Sequence, residues 1–236
     1  MPARWRRWVV GRKLTAMSRP EIPADLAAWA QHCLATGEHV LATSNQGTVL
    51  HYRKHGTEFV VKTAMGKGAV LHARRKTLQR EAKAYQRLAG VAGVPSSYGL
   101  VEDRYLVLEF VRGRHYRDAE IPDREAWFDA LLETIRACHA SGVAHGDLKS
   151  KSNLMVRDDG SPCIIDFGTT VVFRDGFHPF NHRMFAYLKQ LDLNAWVKHK
   201  YRGRYEEASN EDRALLNYSL FESLLRKYRN RNLDPS

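Results

Sequence analysis

His145-Gly146-Asp147-Leu148-Lys149, with Asn153 close behind, and Ile164-Ile165-Asp166-Phe167-Gly168 are the stretches on which the reading of this 236-residue chain turns. Each sets a carboxylate at the edge of a short apolar run. Between them, Leu154-Met155-Val156 and Cys163-Ile164-Ile165 flank the turn Asp158-Asp159-Gly160, a pattern of two short strands. Upstream, Asp123 is a good helix N-cap. Trp127, Leu131, Ile135 and Cys138 follow at helical spacing and predict a buried helix ending near Ser141-Gly142. Downstream, helical patterns cover about 181–199 and 210–228. The first half reads differently. Val40-Leu41-Ala42, Val49-Leu50-His51-Tyr52 and Glu58-Phe59-Val60-Val61-Lys62 are strand-like, with Gly47 and Gly56 at the expected turns. A helix with a basic face is expected over about 70–88, stopped by Gly90. A hairpin is expected over 101–111, turning at Glu102-Asp103-Arg104. The expectation is an α+β chain of two lobes with a cleft between them: a basic arm and leading helix over 1–35, an antiparallel-sheet lobe over 36–108 and a short helical lobe over 109–236.

The charge balance is lopsided: 37 Lys and Arg against 26 Asp and Glu, a net +11. This implies an anionic partner without choosing among nucleic acid, lipid headgroup, phosphorylated sugar and acidic protein; specific nucleic-acid binding is not expected. No apolar run approaches the roughly 20 residues of a membrane helix. Arg4, Arg6, Arg7, Arg12, Lys13 and Arg19 precede the first acidic residue, Glu21, and Trp8-Val9-Val10 is too short for a secretory core. The arm reads as a solvated charge run, or, with Trp5 and Trp8 among the arginines, as a peripheral contact with an anionic membrane. Met17 offers an alternative start. Cys33, Cys138 and Cys163 have no metal-type spacing and suit a reducing, cytoplasmic compartment; Cys163 reads as a small core residue.

The two opening segments resemble the catalytic loop and metal-binding loop of the protein-kinase superfamily. Phosphoryl transfer from ATP asks one carboxylate to orient and deprotonate a hydroxyl and another to hold the metal. The resemblance implies Asp147 as the base, Lys149 steadying the transferred phosphate, and Asn153 and Asp166 as ligands to Mg²⁺, with Mn²⁺ an alternative. It gives His145 a packing role. Lys62 resembles the kinase lysine that contacts the α- and β-phosphates, held by Glu81. Leu108 resembles the gatekeeper, with the backbone of Glu109 and Val111 facing adenine. The glycine-rich loop is weak: Ala42 and Ser44 fall where its first two glycines belong, and only Gly47 survives. Five residues, not the usual four, separate Asp147 from Asn153, which leaves Ser152 as the fallback ligand.

Gly146 stands where many protein kinases carry an arginine, no Ala-Pro-Glu follows Asp166-Phe167-Gly168, and the last lobe is short. That plan resembles the small RIO kinases and the bacterial kinases of lipopolysaccharide Kdo or heptose. His178-Pro179 and the helix bearing Asp192-Leu193-Asn194 are similar to a RIO segment in which the aspartate braces the catalytic loop. The implied function is an ATP- and magnesium-dependent kinase of a hydroxyl acceptor. A lipopolysaccharide-core sugar or related anionic glycolipid at the inner membrane face is favoured. A RIO-like protein serine/threonine kinase is the alternative, and a pseudokinase binding module the third.

Overall fold

The structure is a computed structural model, and it describes residues 20–44, 47–54 and 56–217. In chain order the elements are α1 (Leu26–Thr36), β1 (Val40–Thr43), β2 (Gly47–Lys54), β3 (Thr57–Ala64), α2 (Gly68–Arg87), β4 (Ser97–Val101), β5 (Tyr105–Glu109) and β6 (Gly113–His115). There follow α3 (Arg124–Ala140), β7 (Val143–Ala144), β8 (Leu154–Arg157), β9 (Pro162–Ile164), β10 (Val171–Val172), α4 (Pro179–Lys200) and α5 (Asn210–Ala214). The basic arm lies outside the described residues. Among the described residues, no helix is long and apolar enough to cross a membrane.

The first lobe is an antiparallel sheet in the order β1-β2-β3-β5-β4. Period-two alternation sends Leu50, Tyr52, Phe59, Val61, Tyr105 and Val107 to one face, where α1 covers them with Leu26, Ala30 and Cys33. The opposite face therefore receives Val49, Val60 and Lys62. The hairpin begins at Ser97, earlier than the pattern suggested, and turns through Glu102 and Asp103, both at positive φ. Gly47 closes the β1–β2 turn, its carbonyl accepting from the Ser44 N–H at 2.9 Å, and also opens β2 opposite Ala64; a Cβ there would lie 2.0 Å from the Thr63 carbonyl oxygen.

The second lobe packs α3 on α4 around Trp127, Phe128, Leu131, Ile135 and Trp196. Asp123 caps α3 by accepting from the Ala126 N–H at 3.0 Å. Burial pushes the Cys138 thiol up to about 12 and the Cys163 thiol to about 11, as befits core residues. Of the helix expected over 210–228, the described residues cover only 210–217. α5 ends at Ala214, because α4 captures the backbone beyond it. Gln190 donates to the Leu215 carbonyl, and Asn194 both donates to the Asn217 carbonyl and accepts from its N–H. Residues 218–228 lie outside the described residues.

The most buried carboxylate among the described residues is Asp192 on α4, only 1% exposed. It accepts from the His145 N–H at 2.9 Å, the Gly146 N–H at 2.8 Å and His139 Nε2 at 3.0 Å. Buried donors left without an acceptor are costly. Asp192→Ala should therefore lower unfolding free energy by about 3–5 kcal/mol in urea titration. A loss below about 1 kcal/mol would contradict this bracing role.

Candidate active site

Lys62, on the cleft face of β3, meets two carboxylates. Its Nζ donates to Glu81 Oε1 at 2.6 Å and to Asp166 Oδ1 at 2.7 Å. Glu81 arrives there because Leu78, Glu81, Ala82 and Tyr85 form the buried stripe of α2, so packing that helix delivers the carboxylate. Asp166 follows β9 in the left-handed region at φ 64°, an uncommon conformation for a residue with a side chain. Phe167 locks it from behind, between Tyr85 and His145.

These three groups share one cation unequally. Burial opposes the charge on Lys62, but Glu81 and Asp166 outweigh it and hold the ammonium above its ordinary value. Burial wins at Glu81, whose carboxyl is raised despite Lys62. At Asp166 burial acts upward too, yet the charge and hydrogen bond of Lys62 outweigh it and keep the carboxyl low. Asp166 is the more exposed partner, 48% against 3% for Glu81, and presents an ionised carboxylate to the cleft.

The loop from His145 to Asn153 is held at several points. His145 Nε2 lies 3.0 Å from the Ile165 carbonyl and its Nδ1 accepts from the Asp147 N–H, an arrangement that places the ring proton on Nε2. His199, at the end of α4, reaches the Leu148 carbonyl at 2.9 Å. A short turn, Lys151–Asn153, absorbs the extra residue and swings Asn153 back: its Nδ2 donates to the Asp147 backbone carbonyl at 3.0 Å and to Asp147 Oδ2 at 3.1 Å. Two oxygen acceptors on one amide face fix the amide's orientation and turn Oδ1 away from Asp147. Ser152 is occupied with Ser150, at 2.7 Å. Gly146 sits at φ 80°, where a Cβ would come 2.6 Å from Leu188, so the position read as a missing arginine is one of close packing.

A cleft of about 650 Å³ opens between the lobes. Val49, Val60, Leu108, Met155 and Ile165 give it apolar walls; Glu109 and Val111 line one edge, and Lys62, Asn153 and Asp166 lie at the other elements that bound it. The Glu109 side chain is committed elsewhere, accepting from the Ser96 N–H at 2.9 Å and Arg157 Nη1 at 2.7 Å, and the Glu109 N–H donates to the Ser96 carbonyl at 2.8 Å, so neither is offered to a ligand. Glu81 and Asp147 stand behind the lining, joined to it through Lys62 and Asn153. Gly47 and Lys149 do not line the cleft; Lys149 is exposed. Met155 and Arg157 were not singled out from sequence. Strand alternation at 154–157 was the available signal for Met155, while nothing local announces the pairing of Arg157 with Glu109.

The donor atoms suit a hard cation. One carboxylate and one amide oxygen border a cleft large enough for a nucleotide, and Mg²⁺ is bound in just this way, by one or two protein oxygens completed by phosphates and water. Among the described residues no three His, Cys, Asp or Glu side chains gather as a self-sufficient metal cage.

A two-lobed α+β fold with a lysine–glutamate pair and an aspartate on each of two loops beside an interlobe cleft is the architecture of a protein kinase domain. In agreement, the protein kinase domain matches residues 39–186, more than half of the chain, and the chain belongs to that family. It is 28% identical over 137 residues to calcium-dependent protein kinase 14 of Oryza sativa subsp. japonica, covering 53% of this chain and 26% of that protein. It is 29% identical over 133 residues to calcium-dependent protein kinase 26 of Arabidopsis thaliana, covering 51% and 28%. With sperm motility kinase 2B of Mus musculus the figures are 37% over 79 residues, 30% and 16%. The chain thus spans under a third of the length of each of these relatives.

His199 gives the site a pH signature. Burial, aided by nearby Lys198, Lys151 and Arg124, holds its pKa below the ordinary 6.5 despite the Leu148 hydrogen bond. A base with a depressed folded pKa stabilises the fold fully above its unfolded pKa, and that stability is lost as pH falls toward the folded value. Unfolding free energy measured by urea titration should decline as pH drops below about 6.5, and His199→Gln should flatten the decline. An unchanged slope in the variant would contradict this assignment.

Proposed function

We propose that the chain is an ATP-dependent phosphotransferase that acts on a serine or threonine hydroxyl of a protein. The observation carrying the proposal is the Lys62 ammonium held between Glu81 and Asp166, with Asp147 and Asn153 joined beside it. ATP with Mg²⁺ or Mn²⁺ supplies the γ-phosphoryl group and neutralises its charge. The apolar cleft walls take the adenine ring, and the backbone of Glu109 and Val111 meets its edge. Lys62 holds the α- and β-phosphates. Asp166 and Asn153 Oδ1 hold the metal. Asp147 orients the acceptor hydroxyl and receives its proton as the new P–O bond forms and the bond from the γ-phosphorus to the β-γ bridging oxygen breaks, ADP carrying away that electron pair. Lys149 steadies the transferred group.

The choice of a protein acceptor is supported by the relatives, two of which carry the name protein kinase. The glycolipid favoured from the short last lobe, the basic charge and the Trp-bearing arm becomes the second reading, motivated by the net +11; a cytoplasmic enzyme resting on the inner membrane face belongs with it. The intact Lys62–Glu81–Asp166 cluster argues against a pseudokinase.

Magnesium-dependent ADP release should be measurable for the wild type and should fall about 10²–10⁴-fold in Asp147→Ala, with a comparable loss in Asp166→Ala. A wild type that binds ATP yet releases ADP no faster than either variant would refute the enzyme reading. Labelled ATP offered to a lysate divided into protein and lipid fractions should mark protein; label confined to lipid would reverse the acceptor assignment.

A further inference from the structure

A second cavity, of about 580 Å³, lies beside the loop that carries Asp147. Its wall is built and not merely exposed. The Tyr116 N–H donates to the Leu154 carbonyl at 2.9 Å, its hydroxyl lies 3.4 Å from the His199 carbonyl, and His199 in turn reaches Leu148, the residue after Asp147. Arg124 spends its guanidinium on the His199 and Lys200 carbonyls, at 2.8 and 3.1 Å, and on the Tyr116 hydroxyl. It therefore brings a full charge to the wall without a carboxylate to neutralise it.

The rim adds Arg117, Lys151, Lys198 and Arg202, against one acid, Glu120. Among the described residues, Arg117, Arg124, Lys151 and Arg202 have no carboxylate partner, whereas nearby Lys200 meets Glu125 at 2.5 Å and Asp212 at 2.8 Å. Unpaired like charges around one cavity repel each other, and a bound anion relieves that repulsion. Arg202 carries a further cost. It occupies the left-handed region at φ 54°, where glycine or asparagine is the unstrained choice. Strain of this kind concentrates at ligand sites.

We infer that this cavity binds an acidic group of the acceptor, a side-chain carboxylate or a phosphate already present on a neighbouring residue, and so directs transfer to hydroxyls in acidic protein segments. This inference rests on the protein-acceptor reading above and names its substrate class. Lys151, four residues beyond Asp147 in the same loop, links the anion to the acceptor hydroxyl.

The test is binding, measured by fluorescence anisotropy without turnover, of serine peptides identical but for flanking glutamates, phosphoserines or glutamines. The glutamate or phosphoserine peptide should bind in preference to the glutamine one, its affinity falling as salt is raised. The double variant Arg117→Glu/Arg202→Glu should weaken that binding about tenfold or more. Arg202→Gly provides the control against misfolding: it removes the charge while relieving the backbone, so it should weaken acidic-peptide binding while raising the melting temperature. Whichever of the two acidic peptides binds identifies the anion. Equal binding of all three peptides, affinity indifferent to both variants, or preference for phosphorylated glycolipid micelles over every peptide would overturn the inference. Selective acidic-peptide binding by a chain that turns over no ATP would leave this pocket standing and refute the phosphotransfer reading instead.

Discussion

The Lys62 ammonium between Glu81 and Asp166 is the constraint on which the rest of the molecule depends. It joins three elements that share no local sequence: a strand of the sheet, the helix that follows it and the loop after β9. The pair with Glu81 is almost wholly buried, so losing Lys62 would leave the Glu81 carboxyl without water or its partner. Lys62 keeps the Asp166 carboxylate ionised, and its partial exposure turns it to the cleft.

Beneath this cluster a second polar arrangement supports the catalytic loop. Asp192 fixes His145 and Gly146 from α4, His145 spans to the Ile165 carbonyl, and the Asp147 side chain is steadied by Asn153. The two loops read first in the sequence are therefore one structure, connected through an imidazole and a phenylalanine ring. An aspartate on one loop and an aspartate on the other become a site because buried hydrogen bonds remove their freedom to drift.

Much of this was legible because it obeys short-range rules. Lys62 at the end of a strand and Glu81 in the helix after it were named from the resemblance to kinase motifs; the strand alternation of β3 and the buried stripe of α2 then account for their meeting. What escaped depended on distant partners. How the loop accommodates five residues between Asp147 and Asn153 required the turn at Lys151–Asn153. The end of α5 at Ala214 required Gln190 and Asn194 reaching from α4. Strands of two or three residues, such as β7 and β10, have no pattern of their own and exist through pairing with each other. Gly47 was read as the one glycine kept from a phosphate-covering loop and Gly146 as standing in for an arginine, whereas their surroundings show close approach to Thr63 and to Leu188.

The central claim is that Asp166, held by Lys62, is the group through which a metal and ATP bind together. Isothermal titration of ATP, with and without magnesium, tests it in the wild type and in Asp166→Asn, which preserves shape and removes charge. The account predicts that magnesium strengthens ATP binding to the wild type by at least about tenfold and leaves the variant's affinity nearly unchanged. An equal magnesium gain in both proteins would contradict it.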